Sequence, residues 1–218
     1  MVKRLLFSLT LFLAACGSQP EPPPPAAIPV PAKDERPVIV AFGDSLSAGY
    51  GVETGQSYPD FLQEELDAAG YRYRVVNQGV SGDTTSGGLA RVGQAVELKP
   101  ALVIVELGGN DGLRGLPLTV TRDNLDQIVA ACKAAGAKVL LAGMTLPRNY
   151  GPDYIRDFER IYPALEKKHN VTRMRFLLDG VAMNPSLMQR DQIHPNAEGN
   201  QIVARNVFRV IAPLLRSR

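Results

Sequence analysis

Val38-Ile-Val-Ala-Phe-Gly-Asp-Ser-Leu-Ser-Ala-Gly-Tyr50 decides how the rest of the chain is read. Its first five residues are an unbroken apolar run, which suits a strand buried on both faces of a parallel sheet. Gly43 ends the run, and Ser45 follows on a tight turn at the strand's carboxyl end. In open parallel sheets that edge is where ligands bind and reactive groups collect. Working outward, strand-like segments at Tyr73–Asn77, Ala101–Leu107, Lys138–Met144 and Met174–Leu178 alternate with helix-like ones. The helical segments are Ser57–Ala69, Thr84–Leu98, Val120–Ala135, Asp153–Lys168 and Asn196–Leu215. This alternation predicts an α/β domain with a central parallel sheet of about five strands and helices on both faces. Gly70 and Gly136 read as helix stops ahead of strands. Ile202, Val203, Val207, Val210 and Ile211 recur at helical spacing and mark the core face of the last helix.

A serine hydroxyl is a weak nucleophile unless a base, an orienting carboxylate and donors for the developing oxyanion surround it. The chain offers a candidate for each at the carboxyl ends of its strands. His194 is the candidate base, and Asp191, three residues earlier in Asp191-Gln-Ile-His194, is the carboxylate that would fix its tautomer. The candidate oxyanion donors are the Ser45 and Gly79 backbone N–H groups and the Asn110 amide, although Gly79 and Asn110 each also read as ordinary turn residues. Together these point to an ester-cleaving serine hydrolase. Asp44 reads as a turn former bonding local backbone, and Asp111 stays outside the triad. The other histidine, His169, ends Glu166-Lys-Lys-His-Asn170 and reads as a solvated helix end. No His or Cys cluster has metal spacing, and the glycine-rich stretches lack a P-loop ending, so neither a metal nor a cofactor is expected.

The amino-terminal region has a different character. Lys3 and Arg4, the apolar run Leu5 to Leu13 and Leu13-Ala-Ala-Cys16 read as a signal peptide over residues 1–15. Its apolar stretch is too short to cross a bilayer as a helix. Cys16 after Leu-Ala-Ala resembles the bacterial lipobox, which implies lipidation of Cys16 and a membrane anchor. Gly17 in place of an aspartate favours the outer membrane. Residues 16–36 then form a proline-rich linker, with Pro20, Pro22 to Pro25, Pro29 and Pro31. Extended at ~3.1 Å per residue, it would reach roughly 60 Å. The catalytic domain is expected over residues 37–218. Loss of residues 1–15 removes Lys3 and Arg4 and no acid, so the formal charge falls from +2 to neutral. That balance carries no nucleic-acid footprint. Cys132 is then the one free thiol, expected at a buried helix position.

Gly43-Asp-Ser45, Gly79, Gly109-Asn-Asp111 and Asp191-x-x-His194 occur in the order of the SGNH, or GDSL, hydrolase blocks. Phe42-Gly-Asp-Ser-Leu-Ser-Ala-Gly-Tyr50 and Leu107-Gly-Gly-Asn-Asp-Gly-Leu-Arg-Gly115 resemble its bacterial thioesterase I, lysophospholipase and arylesterase branch. The resemblance implies a flavodoxin-like three-layer α/β/α sandwich, a metal-free Ser45–His194–Asp191 mechanism through an acyl-enzyme, and the three oxyanion donors named above. The turn lacks the Gly-x-Ser-x-Gly elbow of α/β-hydrolases, because position 47 is serine. The expected substrates are acyl esters, thioesters or lysophospholipids. An O-acetyl esterase of envelope polysaccharide and a non-catalytic lipid-anchored binding protein are the alternatives. The acyl pocket is expected from Ser81–Leu89, Gly112–Leu118 and Thr145–Asp153, with Leu116, Leu118, Leu146 and Pro147 as its apolar surface. A monomer in the bacterial envelope, periplasmic and lipid-anchored, completes the expectation.

Overall fold

A parallel sheet in the order β2-β1-β3-β4-β5 organises the chain. Its strands are β1 (Val38–Gly43), β2 (Arg74–Gly79), β3 (Leu102–Glu106), β4 (Lys138–Ala142) and β5 (Thr172–Met174). The computed structural model describes residues 34–215. The expected signal peptide, Cys16 and the linker as far as residue 33 lie outside the described residues. β1 and β3 are buried along their whole lengths, which is why their sequences run apolar without alternation. β1 connects forward to β2 on one side, while β3, β4 and β5 extend away on the other, so the order reverses beside β1. Such a switch point opens a crevice at the carboxyl ends of the strands. The register puts Gly43 level with Gly79 of β2 and with Glu106 of β3.

The helices are α1 (Ser45–Ala48), α2 (Tyr58–Ala68), α3 (Thr85–Glu97), α4 (Gly109–Leu113), α5 (Leu118–Ala134), α6 (Pro152–Glu159), α7 (Ile161–His169) and α8 (Ala197–Ile211). α2 packs beside α8, and α3 packs beside α5, which also meets α7, so helices flank the sheet in layers. Local chemistry starts several of them. Ser57 and Asp60 form a reciprocal capping box with Pro59 in the first turn of α2. Thr84 caps α3 and Asn196 caps α8 through their side-chain oxygens. Gly70 and Gly136 adopt positive φ, at 78° and 82°, where the chain leaves α2 and α5.

Besides the short helices α1 and α4, which the sequence expectation lacks, two elements and one side chain depart from it. The helix expected over Asp153–Lys168 is two helices, α6 and α7, meeting at Arg160. Pro163 has no N–H for the Glu159 carbonyl and its ring crowds that carbonyl, which breaks the ladder there. The fifth strand lies at Thr172–Met174, ahead of the expected Met174–Leu178. At Arg175 the chain crosses tightly over Gly143, where a Cβ would fall 2.2 Å from the Arg175 carbonyl oxygen. Leu177 and Leu178 then enter the core from a turn. His169 is no solvated end: its side chain is only 13% exposed and its Nε2 lies 2.6 Å from Asp126 Oδ1. Cys132 is buried, and burial pushes its thiol up to about 11, consistent with an unreactive core position.

Ile104, fully buried at the centre of β3, measures the worth of this core. Ile104→Ala should lower unfolding free energy by about 2–5 kcal/mol, read from a shift in denaturant midpoint at unchanged slope.

Candidate active site

The turn that carries the candidate nucleophile, Ser45, is built from the end of β1. Asp44 caps the single turn of α1, its Oδ1 accepting from Leu46 N at 3.1 Å, and Ser45 is the first helical residue. The Ser45 N–H lies where the intrahelical ladder has not yet begun. Gly79 packs so closely beneath this turn that a Cβ there would lie 2.2 Å from Ala48 N. Asn77 ties β2 to the same turn, donating through Nδ2 to Ser47 O at 2.7 Å. Arg91 of α3 fastens the two strand ends, donating to Gly43 O and Gln78 O at 2.8 Å each and to Asp83 Oδ2 at 2.7 Å. Its guanidinium also lies 4.2 Å from the centroid of the Phe42 ring.

The candidate base, His194, arrives on the loop that leads into α8. Asp191 Oδ1 accepts from the N–H groups of Ile193 and His194 at 2.9 and 3.0 Å, closing a local turn in which Gln192 takes φ 58°. Asp191 Oδ2 lies 2.7 Å from His194 Nδ1, and His194 Nε2 lies 2.9 Å from Ser45 Oγ. With the imidazole proton on Nδ1, that nitrogen donates to Asp191 and Nε2 accepts from the serine hydroxyl. Gln189 pins the loop, its N–H donating to His194 O at 2.8 Å and its amide to Tyr50 O and Pro195 O at 2.7 and 2.9 Å. The Tyr50 ring lies against the imidazole, centroids 4.7 Å apart. Partial burial pulls the Asp191 carboxyl upward, but hydrogen bonds from the His194 ring and from the His194 and Ile193 N–H groups outweigh it. The carboxyl therefore rests below the ordinary value and stays ionised beside the imidazole.

The three expected oxyanion donors lie around the same strand ends but are not equally presented. Ser45 and Asn110 line the cavity at the triad. Asn110 Nδ2 donates to Asp44 Oδ2 at 3.0 Å and to Asp83 O at 2.9 Å, so both its hydrogens are engaged within the protein. Gly79 N–H donates to Asn77 Oδ1 at 2.9 Å. Donation by either to a substrate oxyanion therefore exchanges an internal bond for a stronger one to a full charge. Asp111, left outside the triad, is buried and accepts from Thr85 N and Oγ1, locking α3 to α4.

A cavity of about 450 Å³ opens at Ser45 and His194. Leu146 and Pro147 line it as expected, and the expected Gly112–Leu118 stretch contributes through Leu113 rather than Leu116 or Leu118, whereas Ser81–Leu89 does not line it. Phe176, Leu178, Ala182, Met183, Met188 and Ile193 supply much of the wall. Because β5 ends at Met174, Phe176, Leu178 and the chain after them are free to turn to this crevice.

Sequence reasoning missed the group under the turn. Glu106 ends β3, fully buried, and accepts from Asp44 N, Ser47 N and Ser47 Oγ. Its signal was an acid closing the apolar run Leu102-Val-Ile-Val-Glu106.

Residues 41–202 match the GDSL-like lipase/acylhydrolase family. The chain is 45% identical over 178 residues to esterase TesA of Pseudomonas aeruginosa, covering 81% of this chain and 89% of that one. It is 39% identical over 178 residues to thioesterase 1/protease 1/lysophospholipase L1 of Escherichia coli, covering 81% and 84%. The crystal structure of esterase EstA from Pseudoalteromonas inhibited by monoethylphosphonate superposes with a TM-score of 0.77 at 32% identity, covering 81% of this chain and 97% of that one.

Burial pushes the Asp44 carboxyl up to about 6, against the hydrogen bonds from Leu46 N–H and other donors that pull it down. A raised carboxyl costs stability once ionised: the penalty is absent below the ordinary value of 3.8, grows as pH rises, and is complete above about 6. Asp44→Asn removes this pH-dependent penalty but sets an NH2 against one of the donors that Asp44 now accepts from, so what should change is the pH trend: the stability of the variant relative to the wild-type chain should rise as pH increases from about 4 to above about 6. Denaturant unfolding across that range checks it.

Proposed function

Because the chain belongs to the GDSL-like lipase/acylhydrolase family, we propose that it is a serine esterase hydrolysing carboxylic esters and thioesters of acyl chains through an acyl-enzyme. The observation that carries this reading is the unbroken line from Asp191 through His194 to Ser45, at 2.7 and 2.9 Å. In the forward step His194 Nε2 takes the Ser45 proton as Oγ attacks the carbonyl carbon, and the carbonyl oxygen becomes an oxyanion. Ser45 N–H, Gly79 N–H and the Asn110 amide receive that charge. Collapse expels the alcohol or thiol, protonated by His194, and leaves Ser45 acylated. Water then attacks the ester, with His194 again as base, and frees the acid. Asp191 holds the imidazole tautomer and offsets its positive charge in both halves.

The apolar cavity beside the triad supports a substrate with an acyl chain longer than acetyl, which ranks this reading above polysaccharide deacetylation. A complete triad argues against a purely binding role. Lysophospholipids fit the same class, since they present one acyl ester on a polar head. For location, the leader-like residues 1–15 and Cys16 support anchoring by lipid in the bacterial envelope, with Gly17 favouring the outer membrane. Among the described residues no helix is long and apolar enough to cross a membrane.

Ser45→Ala should lower kcat on p-nitrophenyl esters by about 10⁴–10⁶-fold. Wild-type kcat/KM should rise from acetyl to octanoyl esters, and a steep fall would favour the deacetylase. Cys16→Ser should move the protein from the membrane to the soluble envelope fraction on centrifugation, whereas unchanged membrane association would refute the anchor.

A further inference from the structure

The ester-cleavage steps leave Glu106 without a task, although it touches the nucleophile turn more closely than any triad residue except Ser45 itself. Its Oε2 accepts from Asp44 N at 3.1 Å, Ser47 N at 3.2 Å and Ser47 Oγ at 2.8 Å. The Ser47 hydroxyl in turn lies 3.1 Å from the Tyr58 hydroxyl of α2. A Cβ on Gly43 would fall 2.3 Å from Oε2 and 2.2 Å from Ser47 Oγ, so this carboxyl fills the space that the turn's glycine leaves open. Oε1 is buried with no hydrogen-bond partner, an arrangement native proteins rarely tolerate without a reason.

The surroundings decide the charge state. The ionisable neighbours of Glu106 are the buried Asp44 side chain, within hydrogen-bonding reach, and the phenols Tyr58 and Tyr162. The donors on Oε2 are all neutral. Two adjacent buried carboxylates cannot both ionise cheaply, whereas a pair holding one proton removes the repulsion. Burial first, and then the Asp44 charge, push the Glu106 carboxyl well above the ordinary range. Asp44 is the partner with an outward duty, because its Oδ2 holds the Asn110 amide at 3.0 Å.

We propose that Glu106 is a positioning residue of this site: a neutral carboxylic acid that fixes the pitch of the nucleophile turn through Oε2 and leaves Asp44 the charged acceptor that orients Asn110. The proposal rests on the serine-esterase reading. It assigns Glu106 no contact with substrate and no proton transfer in turnover. Glutamine keeps the shape, the acceptor oxygen and a donor for Asp44, so it replaces the acid; alanine leaves three donors facing a void.

The test compares wild type, Glu106→Gln and Glu106→Ala on a short p-nitrophenyl ester, with infrared spectra of the folded proteins at neutral pH. Glu106→Gln should keep wild-type kcat, and Glu106→Ala should lose about 10²-fold in kcat at nearly unchanged KM, as expected when reacting groups are displaced by about 1 Å. The wild-type spectrum should carry the carbonyl stretch of a protonated carboxylic acid, absent in Glu106→Gln. A folded Glu106→Ala with full kcat would overturn the positioning role. Glu106→Gln as slow as alanine, with no acid band in wild type, would overturn the neutral state. Should Glu106→Ala fail to fold, Ser47→Ala removes only the hydroxyl between Glu106 and Tyr58; it should lower kcat without raising KM, and unchanged kcat would count against the role. The infrared band stands without turnover, so an enzyme inactive on every ester would fail the esterase reading alone.

Discussion

Gly43 stands level with Gly79 on one side and Glu106 on the other, and the site depends on that register. Parallel pairing brings three strand ends to one height at the point where the sheet order reverses. Ser45 follows the first, Gly79 ends the second, and Asn110 lies just beyond the third. A one-residue slip of β1 would turn its buried side chains to the opposite face and move the serine away from both. The hydrophobic burial of β1 and β3 thus secures the geometry of the candidate site as well as stability.

The same edge carries the most costly groups in the fold. Asp44 and Glu106 are buried acids beneath the nucleophile, and Asp111 is a third buried beside them. Each is surrounded by donors: Leu46 N and Asn110 for Asp44, the turn amides and Ser47 hydroxyl for Glu106, and Thr85 for Asp111. Buried polar groups with most of their bonds made specify one arrangement of their surroundings. Here that arrangement is the loop geometry around Ser45. Arg91 does related work from outside, holding the Gly43 and Gln78 carbonyls on one rigid guanidinium.

Much of this was legible in the sequence because its physics is local. The apolar runs of β1 and β3, the glycine stops at Gly70 and Gly136, and the short spacing from Asp191 to His194 each act within a few residues. The departures are tertiary. Nothing near residue 174 announces that Gly143 would let the chain cross early and end β5, which leaves the following chain free to line the cavity. Pro163 did carry a local signal for the break between α6 and α7. The engagement of Asn110 by Asp44, and of His169 by Asp126, joins residues dozens of positions apart, beyond what pattern can show.

The proposed hydrolysis turns on attack of the Ser45 hydroxyl on the substrate carbonyl. Incubation with a fluorophosphonate followed by peptide mass spectrometry tests it most directly. A Ser45 nucleophile gives one phosphonyl adduct per chain, on the peptide containing Ser45, with ester hydrolysis lost in step with its formation. An adduct confined to another residue, or hydrolysis persisting with residue 45 fully modified, would contradict it.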